Sequence, residues 1–231
     1  MVTETKQPTK WKSGLFSILL WIGITALFVL IIGGFRVQYK GNQAAKFLFG
    51  LADGGRGYLQ EDWVANTRDP LPVFSLLVRV TYQYLNENLF YIFQFVLIGV
   101  YLYSIFGIVD HFYNLKKSKL LLFIFGTLYL LSYSTFWPGT IPTTLHYGVA
   151  GQDFGFYAFL PNAFLALLFL SIYQFLKKKP YWAIASIVAA CYFHTGYLII
   201  GAVLVTSYLL LEYLENTDWK RIVRFGLLSL V

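Results

Sequence analysis

The adjacent acids Glu61 and Asp62, followed by Trp63, are the pair in this chain best suited to chemistry. Neighbouring carboxylates can ligate a divalent cation such as Mg2+ or Mn2+, or one can act as a general base beside a polarising partner. A place beside apolar helices would strengthen such a base, because burial disfavours the charged form. The plainer alternative is a solvated turn whose acids pair with Arg56 or Arg68. Asp53, Asp69 and Glu87 stand nearby, together with Arg56, Arg68 and Arg79. A guanidinium fork matches phosphate oxygens, so these arginines suit a phosphate ligand as well as they suit charge balance. Glu61 and Asp62 are thus the catalytic candidates, and Asp53, Arg56, Arg68 and Asp69 are candidates for substrate binding.

Two further places add to that set. His146 and Asp153 lie seven residues apart in a Gly/Pro-containing loop that either caps a cavity or simply connects two helices. His194, followed by Thr195 and Gly196, interrupts a long apolar stretch. An ionisable side chain at membrane depth is by default a functional candidate; a neutral imidazole bonded to a backbone group freed by the break is the alternative. No metal-ligand spacing is readable among the three histidines, and one cysteine excludes a disulfide within the chain. The turn Gly54, Gly55, Arg56, Gly57 lacks the Lys-Ser/Thr ending of a P-loop. No nucleophile elbow, zinc helix or Asn-x-Ser/Thr sequon is present.

The elements that must carry these residues follow from composition. Of 231 residues, 58% are hydrophobic and only 13% charged, and mean hydropathy is +0.60. A soluble domain has about 25% charged residues, so this chain has too few to coat a soluble surface. A multi-pass membrane protein remains. The net charge of +7 reads as topology, with no call for nucleic acid, because the basic residues flank apolar runs.

Apolar runs predict spans near residues 14–32, 89–109, 120–136 and 156–175. The stretch 181–214 would be about 51 Å long as one helix, well over the ~30 Å hydrocarbon core. It should therefore break at His194, Thr195 and Gly196 into helices over 181–193 and 197–214. A last apolar run, 225–231, is cut short, which reads as a fragment of a longer chain. The fold expected is all-α: a single polytopic transmembrane bundle over 1–231 of about six spans plus an incomplete one. Residues 35–87 form the first outer loop with short juxtamembrane helices. One, over 42–51, places Ala45, Phe47, Leu48 and Leu51 on one side, and a second, over 71–85, is opened by Pro70 and Pro72. With a cytoplasmic N-terminus and the hairpin at 194–196, twelve of the 18 Lys and Arg residues fall inside, as the positive-inside rule asks. Trp11, Trp137 and Tyr181 stand at span ends, as in an interfacial belt.

This layout of a first span, a long outer loop with a surface helix over 42–51, and the acidic pair Glu61 and Asp62 resembles the GT-C class of integral-membrane glycosyltransferases. The residues Phe193, His194, Thr195, Gly196 and Tyr197 also resemble helix breaks in polytopic polysaccharide polymerases. The resemblance implies an enzyme that moves a sugar from a polyprenyl-phosphate donor on the outer face of the membrane; the absence of sequons fits a bacterial protein, whose inner membrane would hold it. Glu61 or Asp62 would be the acid-base group, with Asp53 or Asp69 as substitutes. Arg56, Arg68 or His194 would hold the donor phosphate. Membrane lipid is the implied partner, and no protein partner is indicated. The competing readings are a transporter or flippase subunit, suggested by the broken helices and His194, and a non-catalytic assembly protein whose loops dock partners.

Overall fold

The computed structural model describes residues 10–39, 42–133, 158–215, 223 and 226–227. Among them are eight α-helices and no strand: α1 (Lys10–Ile31), α2 (Asn42–Asp53), α3 (Pro72–Tyr84), α4 (Leu89–Tyr113), α5 (Lys119–Ser132), α6 (Leu165–Leu176), α7 (Pro180–Phe193) and α8 (Leu198–Glu215). Their ends follow local chemistry. Pro72 and Pro180 occupy the first turns of α3 and α7, where a missing N–H costs nothing. Ser118 caps α5, its hydroxyl accepting from the Leu121 N–H at 3.2 Å. Asn114 closes α4 in the left-handed conformation, φ 52°.

The apolar helices pack α4 against α6 and α1, and α6 against α7. Gly107 of α4 lets the Tyr173 ring of α6 approach so closely that a Cβ there would stand 2.4 Å from it. Several hydroxyls between the bundle helices are paired. Tyr129 donates to Tyr101 at 2.6 Å and Tyr101 meets Tyr133 at 3.0 Å, while Ser171 meets Tyr208 at 3.0 Å. Such pairing removes the cost of leaving a polar group unsatisfied in an apolar setting.

At one end of the bundle α2 and α3 pack on each other. Gly50 is the reason they fit: a Cβ there would meet the Ser75 carbonyl oxygen at 2.4 Å and the Val78 Cβ at 2.7 Å. Beneath them lies an aromatic cluster. Phe47 of α2, Phe74 of α3, Phe90 of α4 and Phe159 are each at most 2% exposed, with ring centroids 4.8 Å (Phe47 to Phe90), 5.5 Å (Phe74 to Phe159) and 5.8 Å (Phe90 to Phe159) apart. The Phe159 carbonyl also accepts from Gln43 Nε2 at 3.2 Å. The α2–α3 platform is therefore fixed to the bundle by a residue 116 positions beyond Gln43.

Three sequence expectations need correction. Six described helices are strongly apolar, but only two are long and apolar enough to cross a membrane by length and composition: α4, and α8 with its preceding turn, Thr195–Glu215. The span expected over 156–175 is shorter because Leu160 is extended and Pro161 opens a 3-10 turn, Pro161–Phe164, before α6. Proline disfavours the helical conformation in the residue before it. Ala45 does not share the apolar face of α2; it is exposed, and Gln43, Gly50 and Ala52 join Phe47 and Leu51 on the buried side. The expected break of the 181–214 stretch is present, with α7 ending at Phe193 and α8 starting at Leu198.

Much of the helical surface is apolar and open. Phe16, Leu30, Phe123, Leu128, Ile199 and Leu214 are 63–79% exposed. Soluble monomers rarely leave such surface in contact with water.

Candidate functional site

The site is built on the turn that follows α2. Arg56, half-buried, lies between two aromatic rings, with its guanidinium carbon 4.6 Å from the Tyr39 centroid and 4.6 Å from that of Tyr82. Cations held over ring faces gain about 0.5–2 kcal/mol each. Glu87, in the turn between α3 and α4, takes the remaining charge: its Oε2 lies 3.5 Å from Arg56 NH1 and accepts from the Tyr39 hydroxyl at 3.0 Å. Gln38 Nε2 donates to the Glu87 carbonyl at 2.8 Å. Three segments thus converge on one guanidinium.

Tyr39 is held with care. Its φ is +60°, a left-handed conformation that a bulky residue adopts only when its surroundings enforce it. Here the Tyr39 N–H donates to Gln43 Oε1 at 2.8 Å, and the ring is fixed by Arg56 and Glu87. Burial, then the bond to Glu87, push the phenol up to about 12, so it stays protonated and remains a donor.

Beside Arg56 opens a cleft of ≈ 540 Å³ lined by Tyr39, Ala44, Leu48, Arg56, Tyr58 and Asp62 among others. Asp62 is half-buried, and its Oδ1 accepts from the N–H groups of Val64 at 2.8 Å and Ala65 at 3.3 Å. This fixes the carboxylate and leaves Oδ2 without a protein hydrogen bond among the described residues. The structure therefore brings Asp62 and Arg56 into one cleft. Glu61 is exposed at the end of the 3-10 turn Leu59–Glu61 and does not line it. Adjacent residues in a turn point different ways, so the dipeptide does not act as one unit.

The other candidates are dispersed. Asp53 pairs with Arg79 at 3.9 Å, tying the end of α2 to α3. Asp69 Oδ1 accepts from the Leu71 N–H at 2.8 Å, shaping the entry to α3. Arg68 is exposed. His146 and Asp153 lie outside the described residues. No three His, Cys, Asp or Glu side chains come together among the described residues, so the Mg2+ or Mn2+ reading finds no ligand set there.

His194 stands at the break between α7 and α8. Its Nδ1 accepts from the Gly196 N–H at 3.0 Å, the bond of a helix cap, and its ring lies 4.6 Å from that of Tyr197. Burial and the nearby Lys46 charge hold the imidazole below its ordinary value. An acceptor Nδ1 must be unprotonated, which agrees with that direction. Next to it an apolar groove of ≈ 630 Å³ runs between α7 and α8, with Pro72, Val73, Thr195, Gly201, Val205 and Leu209 in its walls.

Comparison with known proteins gives no match among family models, curated proteins or solved structures. The geometry alone must carry the reading. Tyr39, Tyr82 and the pairing role of Glu87 were invisible to sequence reasoning, because aromatic residues are a fifth of the chain and nothing in their spacing marks these two. The signal that could have found Glu87 is its place between Asn86 and Asn88, a polar turn between two apolar helices.

Proposed function

We propose that the chain is a multi-pass inner-membrane glycosyltransferase that uses a polyprenyl-phosphate sugar donor on the outer face. The observation that carries this reading is the single cleft holding a fixed carboxylate, Asp62, beside a guanidinium, Arg56. The open apolar surface of the helices supports embedding of six apolar helices in lipid, the shorter ones crossing with help from neighbours or bilayer thinning. In the proposed reaction Asp62 Oδ2 takes the proton of an acceptor hydroxyl. The acceptor oxygen bonds to the anomeric carbon as the bond from that carbon to the phosphate oxygen breaks. The departing polyprenyl phosphate keeps the electron pair, and the Arg56 fork, of which one end is turned to Glu87, steadies the charge. The groove between α7 and α8 has the apolar walls a prenyl chain requires.

Asp62→Asn separates chemistry from folding, because the amide oxygen can still accept from Val64 and Ala65. Membranes carrying this variant, supplied with radiolabelled polyprenyl-phosphate glucose, galactose and mannose, should lose transfer by at least about a hundredfold, in the range of lost general-base catalysis. Glu61→Gln should stay within about twofold of wild type. Full activity in Asp62→Asn removes the assignment.

A further inference from the structure

We propose that the acceptor is a neutral oligosaccharide, and that it occupies a second cleft on the far side of the Arg56–Glu87 pair; this rests on the transferase reading above. The second cleft measures ≈ 510 Å³ and is lined by Gly54, Gly55, Tyr82, Gln83, Asn86, Glu87 and Asn88 together with Leu85. Its chemistry differs from that of the Asp62 cleft. The lining offers three primary amides, an aromatic residue and one carboxylate, and no cation. Amides donate and accept at once, as do sugar hydroxyls. The Glu87 carboxylate, whose Oε2 is taken up by Arg56 and Tyr39, keeps Oε1 to accept from sugar hydroxyls, and the lining holds no cation to offset the desolvation of an anionic sugar. Glycine at 54 and 55 keeps that wall low, and Gly55 has φ +74°, which suits no other residue well.

The two clefts share one rim. The turn from Gly54 to Tyr58 gives Gly54 and Gly55 to the amide-lined side and Arg56, Gly57 and Tyr58 to the side of Asp62. A linear glycan crossing that rim would present its terminal hydroxyl to Asp62 while its inner units lie against Gln83 and Asn88. A single sugar would reach only one of the two. Gln83 and Asn88 are both exposed, and the Asn88 side chain makes no cap bond to α4, so both can be changed without loss of a structural contact.

The test is saturation-transfer NMR on the detergent-solubilised full chain with maltotetraose, cellotetraose, chitotetraose, glucose and the anionic tetragalacturonate. At least one neutral tetrasaccharide should bind, more tightly than glucose and than tetragalacturonate. The Gln83→Ala/Asn88→Ala double variant should weaken that binding at least fivefold at an unchanged melting temperature. The inference is overturned if no neutral tetrasaccharide binds, if tetragalacturonate binds as well as the neutral chains, or if the correctly folded double variant binds like wild type. Amide-dependent binding without transfer from any polyprenyl-phosphate hexose would leave the cleft standing and remove the transferase reading. Transfer with an acceptor KM insensitive to the double variant would do the reverse.

Discussion

The guanidinium of Arg56 shows how much one side chain can organise. Tyr39, Tyr82 and Glu87 reach it from three different segments, so Arg56→Lys is not a conservative change: a compact ammonium cannot stack between two rings as a planar fork does. The substitution should lower stability by about 1–2 kcal/mol, from the cation–π range above, read as a fall in melting temperature in detergent. His194 makes a second prediction, with a sign. Its folded pKa lies below the ordinary 6.5, so the stability it contributes is present above that value and is lost as the pH falls through the folded pKa. Wild-type protein should therefore melt progressively earlier as the buffer is taken from pH 7 to pH 5. His194→Asn, which can still accept from Gly196 but does not titrate, should lose the part of that slope due to the imidazole. An identical slope in both would show that the cap does not depend on a neutral ring.

At the scale of elements, the α2–α3 pair decides where the cleft lies. Gly50→Val would drive a side chain into the Ser75 carbonyl and Val78, and should cost about 1–3 kcal/mol, as overpacking does, with loss of transfer in parallel. A variant with wild-type melting and activity would mean that the two helices do not need this approach. These helices were legible in the sequence: Pro72 marked the start of α3, and Asn42–Asp53 matched the expected surface helix to within two residues. The break at His194 was legible too, since no bilayer accommodates 34 apolar residues as one straight crossing. The start of α6 was not. Residues 158–160 are as apolar as a span, and only Pro161 betrays that Leu160 is extended. The Arg56 cage was illegible for a different reason. It joins residues 39, 56, 82 and 87 through packing, and charge patterning registers Arg56 and Glu87 only as two members of a crowded loop.

For the molecule as a whole, the proposal requires the clefts and the N-terminus to lie on opposite sides of the bilayer. In a Cys191→Ala background, Tyr58→Cys should react with a membrane-impermeant maleimide in intact cells, because Tyr58 is 87% exposed. Lys117→Cys, in the turn between α4 and α5, should react only after permeabilisation. The opposite pattern would put the site on the cytoplasmic face and end the proposal. Phe159 sets a condition on how the molecule comes into being. Its ring fills the space under α2 and α3 and its carbonyl receives Gln43, yet it is synthesised long after both helices have left the ribosome. Until then the α2–α3 platform rests on Phe90 alone of that aromatic floor. A nascent chain arrested before residue 159 should expose the α2–α3 pair to protease, and one arrested beyond α6 should protect it, so the platform is completed late in biogenesis by the arrival of a single phenylalanine.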